Sequence, residues 1–253
     1  MVSTRKVHEA RRPPFEAWLD SLGLHSHTKE KLRAVSAAPE RLLVGQEMVE
    51  ILCQLNMDDV TLQAALVFPY CEQHALNEED ISDEFGAEIK ELIVGVRRMD
   101  AIKSLHARRL SGKERADSSD EQHTDSIRRM LLAMVEDVRA VVIKMAERIC
   151  ALQQAKVADE ETRVMVAREC ASIYAPLANR LGIGQLKWEL EDLAFRYLHP
   201  VTYKQIAKQL DGKRKERAEY IDSIVDDLQG IMNTENIRAE VYGRPKHIFS
   251  IWK

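Results

Sequence analysis

Eight histidines, four cysteines and 41 aspartates and glutamates are the residues of this 253-residue chain that could hold a metal, move a proton or attack an electrophile. The histidines stand at 8, 25, 27, 74, 106, 123, 199 and 247. None is followed by Asp, and no His-x-x-x-His pair falls on a clear helical face, so their spacing composes no catalytic or metal-binding set. His25 and His27 sit in a polar turn and read as surface residues. Cys53, Cys71, Cys150 and Cys170 make no Cys-x-x-Cys pair. Each lies in an apolar helical context, which reads as buried, reduced thiols rather than a metal or disulfide framework. Phosphate-cradling loops are missing as well. There is no Gly-x-x-x-x-Gly-Lys-Ser/Thr run. Gly182 and Gly184 are followed by Lys187 where a dinucleotide turn needs its third glycine, and a helix precedes them. Gly182 is expected to end a helix instead.

One corner carries a concentration of useful groups. Tyr242-Gly243-Arg244-Pro245-Lys246-His247-Ile248-Phe249-Ser250-Ile251-Trp252-Lys253 runs from an extended stretch through a turn into a helix. Arg244, Lys246 and Lys253 are cationic and Ser250 offers a hydroxyl. Such a corner can hold a polyphosphate through charge-assisted hydrogen bonds, and an arginine can stack on a base. Taken alone, the same residues also read as a solvated turn with three positive charges, and that plainer reading is the one they favour.

The elements that must position these groups are almost all helical. Phe15, Trp18, Leu19 and Leu22 share one face of a helix over 15–24. Leu43, Met48, Ile51, Leu52 and Leu55 define another over 40–57, and Leu62, Ala65 and Leu66 a third from about Asp58, expected to end at Pro69. A stripe from Phe85 through Ile102 predicts a helix over 85–105. The charged segment from Ala107 to Thr124 reads as a loop. The strongest period runs from about Asp125 to Leu152. Helices at 160–181, 186–198 and 201–232 follow. Only Ile237 to Tyr242 alternates with a period of two and predicts a strand. A lone strand cannot satisfy its backbone, so its partners are expected outside these residues, in a second domain.

Composition agrees with this. At 45% hydrophobic and 31% charged the chain can build a core and is not a disordered tail. Ten glycines and seven prolines are too few for an all-β fold. A net charge of -4 disfavours a protein that coats nucleic acid, and no apolar run approaches the roughly 20 residues that span a bilayer. The basic lead-in at 1–14 lacks the apolar stretch of a secretory signal.

Three stretches carry a resemblance. YAPLANRLGIGQLKWELEDLAFRYLHP (174–200), YGRPKHIFSIWK (242–253) and MLLAMVEDVRAVVIKMAERICAL (130–152) closely resemble the long RelA/SpoT enzymes, the bacterial (p)ppGpp synthetase/hydrolases. The likeness covers nearly all of the chain from about residue 40. It implies an all-α chain that ends in a truncated α/β part: a flexible terminus at 1–14, an HD-type helical domain at 15–155, a connecting bundle at 156–200, and the start of a synthetase domain with its first strand at 201–253.

Active hydrolases of this kind resemble one another in H-P-x-x-V-A, A-L-L-H-D-x-x-E-D and K-L-A-D-R-L-H-N, whose first His, His-Asp pair and later Asp hold manganese. Here Val44 takes the first His position and Phe68-Pro69 the His-Asp pair. Glu72-Gln73 replaces the acidic pair. Glu147 stands at the Asp ligand, Cys150 at the following His and Ala151 at the Asn. Val, Phe and Pro side chains have no lone pair to give, so no manganese and no hydrolysis are expected. Cys71 and Cys150 offer a soft metal two thiols with no third ligand spaced to help. This is the pattern of the RelA-type, synthetase-dominant branch.

In the synthetase part the resemblance implies that Arg244 contacts adenine or phosphate, Lys246 phosphate, and Ser250 a phosphate oxygen, with Lys253 beside a further basic position. The family's magnesium-holding Asp and the Glu that serves the attacking hydroxyl lie beyond residue 253. The expected function is therefore part of an ATP:GTP 3'-pyrophosphotransferase, with these residues alone inactive in synthesis and hydrolysis. ATP and GTP or GDP are the implied ligands of the complete enzyme, with magnesium accompanying ATP. Ribosome and uncharged tRNA are implied through regions C-terminal to these residues. No membrane and no direct nucleic-acid contact by this part are expected, and the location is the cytoplasm. A residual metal-dependent phosphohydrolase and a plain helical interaction module remain as the alternatives.

Overall fold

The computed structural model describes residues 13–35, 42–111, 136–211, 214–243 and 245–253, with the backbone alone at 101–111, 211, 214, 215, 217 and 218. Every regular element among them is helical. In chain order they are α1 (Phe15–Ser21), α2 (Ser26–Ala34), α3 (Leu43–Cys53), α4 (Asp59–Gln73), α5 (Glu78–Phe85), α6 (Ala87–Ser111), α7 (Val138–Gln154), α8 (Glu160–Glu169), α9 (Ala175–Arg180), α10 (Gly184–Leu198), α11 (Pro200–Asp211), α12 (Arg214–Thr234) and α13 (Ile248–Trp252).

Helix starts follow local chemistry. Asp58 accepts from the Thr61 amide at 2.9 Å and opens α4. Asn77 and Asp80 form a reciprocal capping box at α5, and Asp159 accepts from Thr162 at the start of α8. Gly182 follows α9 with φ +73°, the left-handed stop its sequence position predicts.

One apolar core runs from Trp18 to Ala194. Helices α3, α4, α6 and α7 form its centre, and α10 packs on α7, α8 and α9. The crossing of α3 over α4 is so close that a Cβ on Gly45 would lie 1.9 Å from the Leu66 carbonyl oxygen. Only glycine fits there.

The structure departs from the sequence reading in several places. Helix α4 continues through Pro69 to Gln73. Past the proline it buries Cys71 and sets Tyr70 against His74 and Phe85, and this burial offsets the roughly 3 kcal/mol of an interior proline. Helices α2 and α5 are short and strongly charged, so their apolar period is hard to see. Helix α6 extends to Ser111, beyond the expected loop start at Ala107, and the rest of that loop lies outside the described residues. The long helix expected over Asp125 to Leu152 is interrupted at Asp137, and α7 starts at Val138. Asp137 is extended there and accepts from the Arg139 amide at 2.8 Å, which starts a new helix; residues 125–135 lie outside the description. A single helix over 201–232 is replaced by α11 and α12. The expected helix over 160–181 is α8 and α9 joined by a π turn at Cys170–Tyr174.

The predicted strand over Ile237 to Tyr242 does not form, and no strand occurs among the described residues. Among the described residues no neighbouring strand pairs with its backbone. The Gln229 side-chain amide on α12 serves instead, donating to the Ala239 carbonyl at 3.0 Å and accepting from the Val241 amide at 3.2 Å. Glycine at 243 lets this stretch lie on α12, where a Cβ would meet Ile221 Cγ2 at 2.5 Å.

Candidate functional site

Two places bear on chemistry. The first is the cleft of the HD-type helices. Val44 on α3, Phe68 and Pro69 on α4, and Glu147, Cys150 and Ala151 on α7 are carried by three helices that pack against one another. Phe68 and Cys150 belong to the buried core and Val44 packs against it. Where the resemblance places imidazole and carboxylate donors, the chain therefore puts hydrocarbon into its own interior.

The two remaining carboxylates are both engaged by protein cations. Glu72 lies on the exposed side of α4 and accepts from Arg97 Nε of α6 at 2.6 Å. Gln73 beside it is exposed. Glu147 is largely buried and accepts from Arg148 Nε at 2.6 Å, with Lys144 Nζ at 3.0 Å. Lys144, only 2% exposed, also reaches Asp100 on α6 at 2.6 Å, and Arg148 lies 3.7 Å from Glu169 on α8. The result is a row of alternating charge, Asp100, Lys144, Glu147, Arg148, Glu169, that ties α6, α7 and α8 together. Burial pushes the Glu147 carboxyl up, but hydrogen bonds and charge from Arg148 and Lys144 outweigh it and hold the group below its ordinary value. Burial pulls the other way on Arg148, and Glu147 more than restores it, leaving the guanidinium firmly charged.

Among the described residues no group of three His, Cys, Asp or Glu could hold a metal ion. With no lone pair on the Val44 and Phe68 side chains, and Glu72 and Glu147 held by Arg97, Arg148 and Lys144, the residues at these positions do not fit manganese. Burial pushes the Cys71 thiol up to about 12. A pocket of about 330 Å³ lies elsewhere, between Leu55, Met57, Val142 and the turn from Gly182 to Gln185. None of the positions matched to the hydrolase ligands lines it.

The second place is the cationic corner. Arg244 lies outside the described residues. Lys246 and Lys253 are exposed, and Ser250 on α13 is half-buried. Lys253 and Lys187 draw the Glu191 carboxyl down, but burial is the larger effect and leaves it raised. The corner is mounted on α10. The His247 ring stacks on Trp188 with centroids 6.1 Å apart, Phe195 meets Phe249 at 5.6 Å and Trp252 at 4.7 Å, and His199 stacks on Trp252 at 5.2 Å. At the centre Asp192, 3% exposed, accepts the Phe249 amide at 3.1 Å and the Tyr203 hydroxyl at 3.4 Å.

Sequence reasoning gave no role to Lys144, Arg148, Asp100 or Asp192. A lysine inside the apolar period of α7 and an aspartate between Trp188 and Phe195 at helical spacing were the available signals.

A family model described as an HD domain matches residues 33–184, more than half of the chain. The chain is 47% identical over 267 residues to the GTP pyrophosphokinase of Escherichia coli K12, covering 100% of this chain and 35% of that protein. It is 44% identical over 271 residues to the GTP pyrophosphokinase of Haemophilus influenzae, again 100% of this chain and 35% of the other. The GTP pyrophosphokinase of Myxococcus xanthus matches at 32% over 207 residues, 82% of this chain and 26% of its own length. The chain spans about a third of the length of the curated relatives most similar to it. With HD-type helices over 33–184 and these relatives along its whole length, the chain belongs to the HD-domain proteins of the RelA/SpoT family.

Proposed function

We propose that this chain is part of an ATP:GTP 3'-pyrophosphotransferase that makes (p)ppGpp, and that its HD-type helices form a hydrolase-like domain without catalysis. The observation that carries the reading is the interior of that domain. Val44, Phe68 and Pro69 contribute no lone pairs, and Glu147 is held by Lys144 and Arg148 rather than left for a cation. Metal-assisted hydrolysis needs a divalent ion to acidify water, and this donor set offers none a seat.

The domain boundaries proposed are a terminus at 1–14, the hydrolase-like domain at 15–155, a connecting bundle at 156–200 and the start of the synthetase domain from 201. Arg244, Lys246 and Ser250 would bind ATP, with Lys253 nearby. The GTP pyrophosphokinase names of the relatives support nucleotide substrates of this class. The magnesium that accompanies ATP would be held by acidic residues outside this chain. Contacts to ribosome and uncharged tRNA are assigned to other segments as well.

Two measurements test the reading. The 253-residue chain, given manganese and ppGpp, should release no pyrophosphate and retain no ion after dialysis. Turnover above that of the free ion overturns the empty domain. In the full-length protein, Lys246→Ala should raise the KM for ATP about tenfold, as expected for one charged hydrogen bond. An unchanged KM overturns the ATP corner.

A further inference from the structure

Three side chains of α10, Trp188, Asp192 and Phe195, and the C-cap His199 just after it meet the segment 247–252, at successive spacings of four, three and four. That spacing is one helical face. Three of its contacts are aromatic and tolerate sliding. The fourth is directional. Helix α13 has only five residues, and its own preceding residue, His247, makes no side-chain cap bond. The first amides of any helix lack intrahelical partners. Here one of them, on Phe249, is satisfied by the buried Asp192 carboxylate from a helix 57 positions earlier. Tyr203 of α11 holds the other carboxylate oxygen, so the cap is itself braced.

We propose that Asp192 is a positioning residue for the cationic corner: from α10 it caps α13 and thereby sets Lys246 and Ser250 toward the phosphates of the nucleotide. This rests on the reading of that corner as the ATP site. Asp192 touches no nucleotide. It fixes the start of α13, so that the lysine just before the helix and the hydroxyl in its first turn keep one relative placement. Such preorganisation shows as tighter binding of the ligand it serves.

The test uses the full-length protein with Asp192→Leu and Asp192→Ala, both made so that a folding failure of one leaves the other to decide, and Asp192→Asn, which keeps an oxygen acceptor. Removal of the acceptor should raise the KM for ATP about tenfold while the KM for GTP stays within about twofold. In hydrogen exchange, protection of the Phe249 amide should fall while that of α7 is unchanged. Asp192→Asn should restore both readouts. An unchanged KM for ATP, an unchanged Phe249 amide, or an Asn variant as impaired as Leu would each overturn the positioning role. Lys246→Ala separates the two ideas, since it should raise the KM for ATP without touching Phe249 exchange. If it leaves that KM alone, the ATP reading falls and the positioning role with it.

Discussion

Glu147 keeps its charge in a buried setting because Arg148 and Lys144 face it. Its folded-state pKa is lowered, so the stability it contributes is fully present above the ordinary glutamate value of 4.5 and is lost as pH falls through the lowered one. Glu147→Gln should therefore cost about 2–3 kcal/mol at pH 7, since two buried cations lose a partner while Asp100 and Glu169 remain. In urea titrations the gap between the two proteins should narrow as pH falls below 4.5 and through the lowered value. A gap that persists in acid means the side chain acts through packing. The thiols make a second case. Burial pushes Cys53 up to about 11 and Cys71 up to about 12, so both should react slowly with disulfide reagents at about pH 8 in the folded chain and quickly in urea. The reading of Val44 and Phe68 as lost donors comes from a resemblance, which compares residue types position by position. The charge row was not legible in the sequence. Lys144 and Asp100 are 44 positions apart and meet only because α6 and α7 pack together.

At the scale of the helix, α4 and α3 show what pattern alone cannot resolve. A proline in sequence predicts an end, yet α4 passes through Pro69, because the helical path beyond it buries Cys71. Pro69→Ala restores an amide that can bond within the helix and should raise stability by about 1–2 kcal/mol, read from the denaturation midpoint. The opposite holds at Gly45. A methyl group there meets the Leu66 backbone at 1.9 Å, and backbone cannot rotate away, so Gly45→Ala should cost about 3 kcal/mol or more. Long helices such as α7 and α10 were legible through their apolar period. Charged α2 and α5 were not, since each buries a single apolar side chain, Leu32 and Ile81, too few to show a period. The break at Asp137 was not legible, because Asp137 reads as one more polar residue until its side chain is seen to cap.

Across the whole molecule, burial is uneven. The core from Trp18 to Ala194 is dense, whereas α12 presents Tyr220, Ile224, Leu228 and Ile231 at the surface. Native-state hydrogen exchange should accordingly find α3, α4 and α7 slowest and α12 fastest, and Ile231→Lys should leave stability within about 0.5 kcal/mol. Equal protection of α7 and α12 would contradict this ranking. Among the described residues no helix is long and apolar enough to cross a membrane. Fold class was legible from composition and period. The fate of 237–242 was not, because alternation reports a preference and a strand also needs a neighbour.

Gln229 gives that stretch a substitute neighbour, one carboxamide standing in for a peptide unit. A true strand arriving beside Ala239 and Val241 would have to evict it. The two hydrogen bonds would change hands rather than be created, so docking there amounts to a swap, with little gain from the backbone and its direction left to the side chains the newcomer brings.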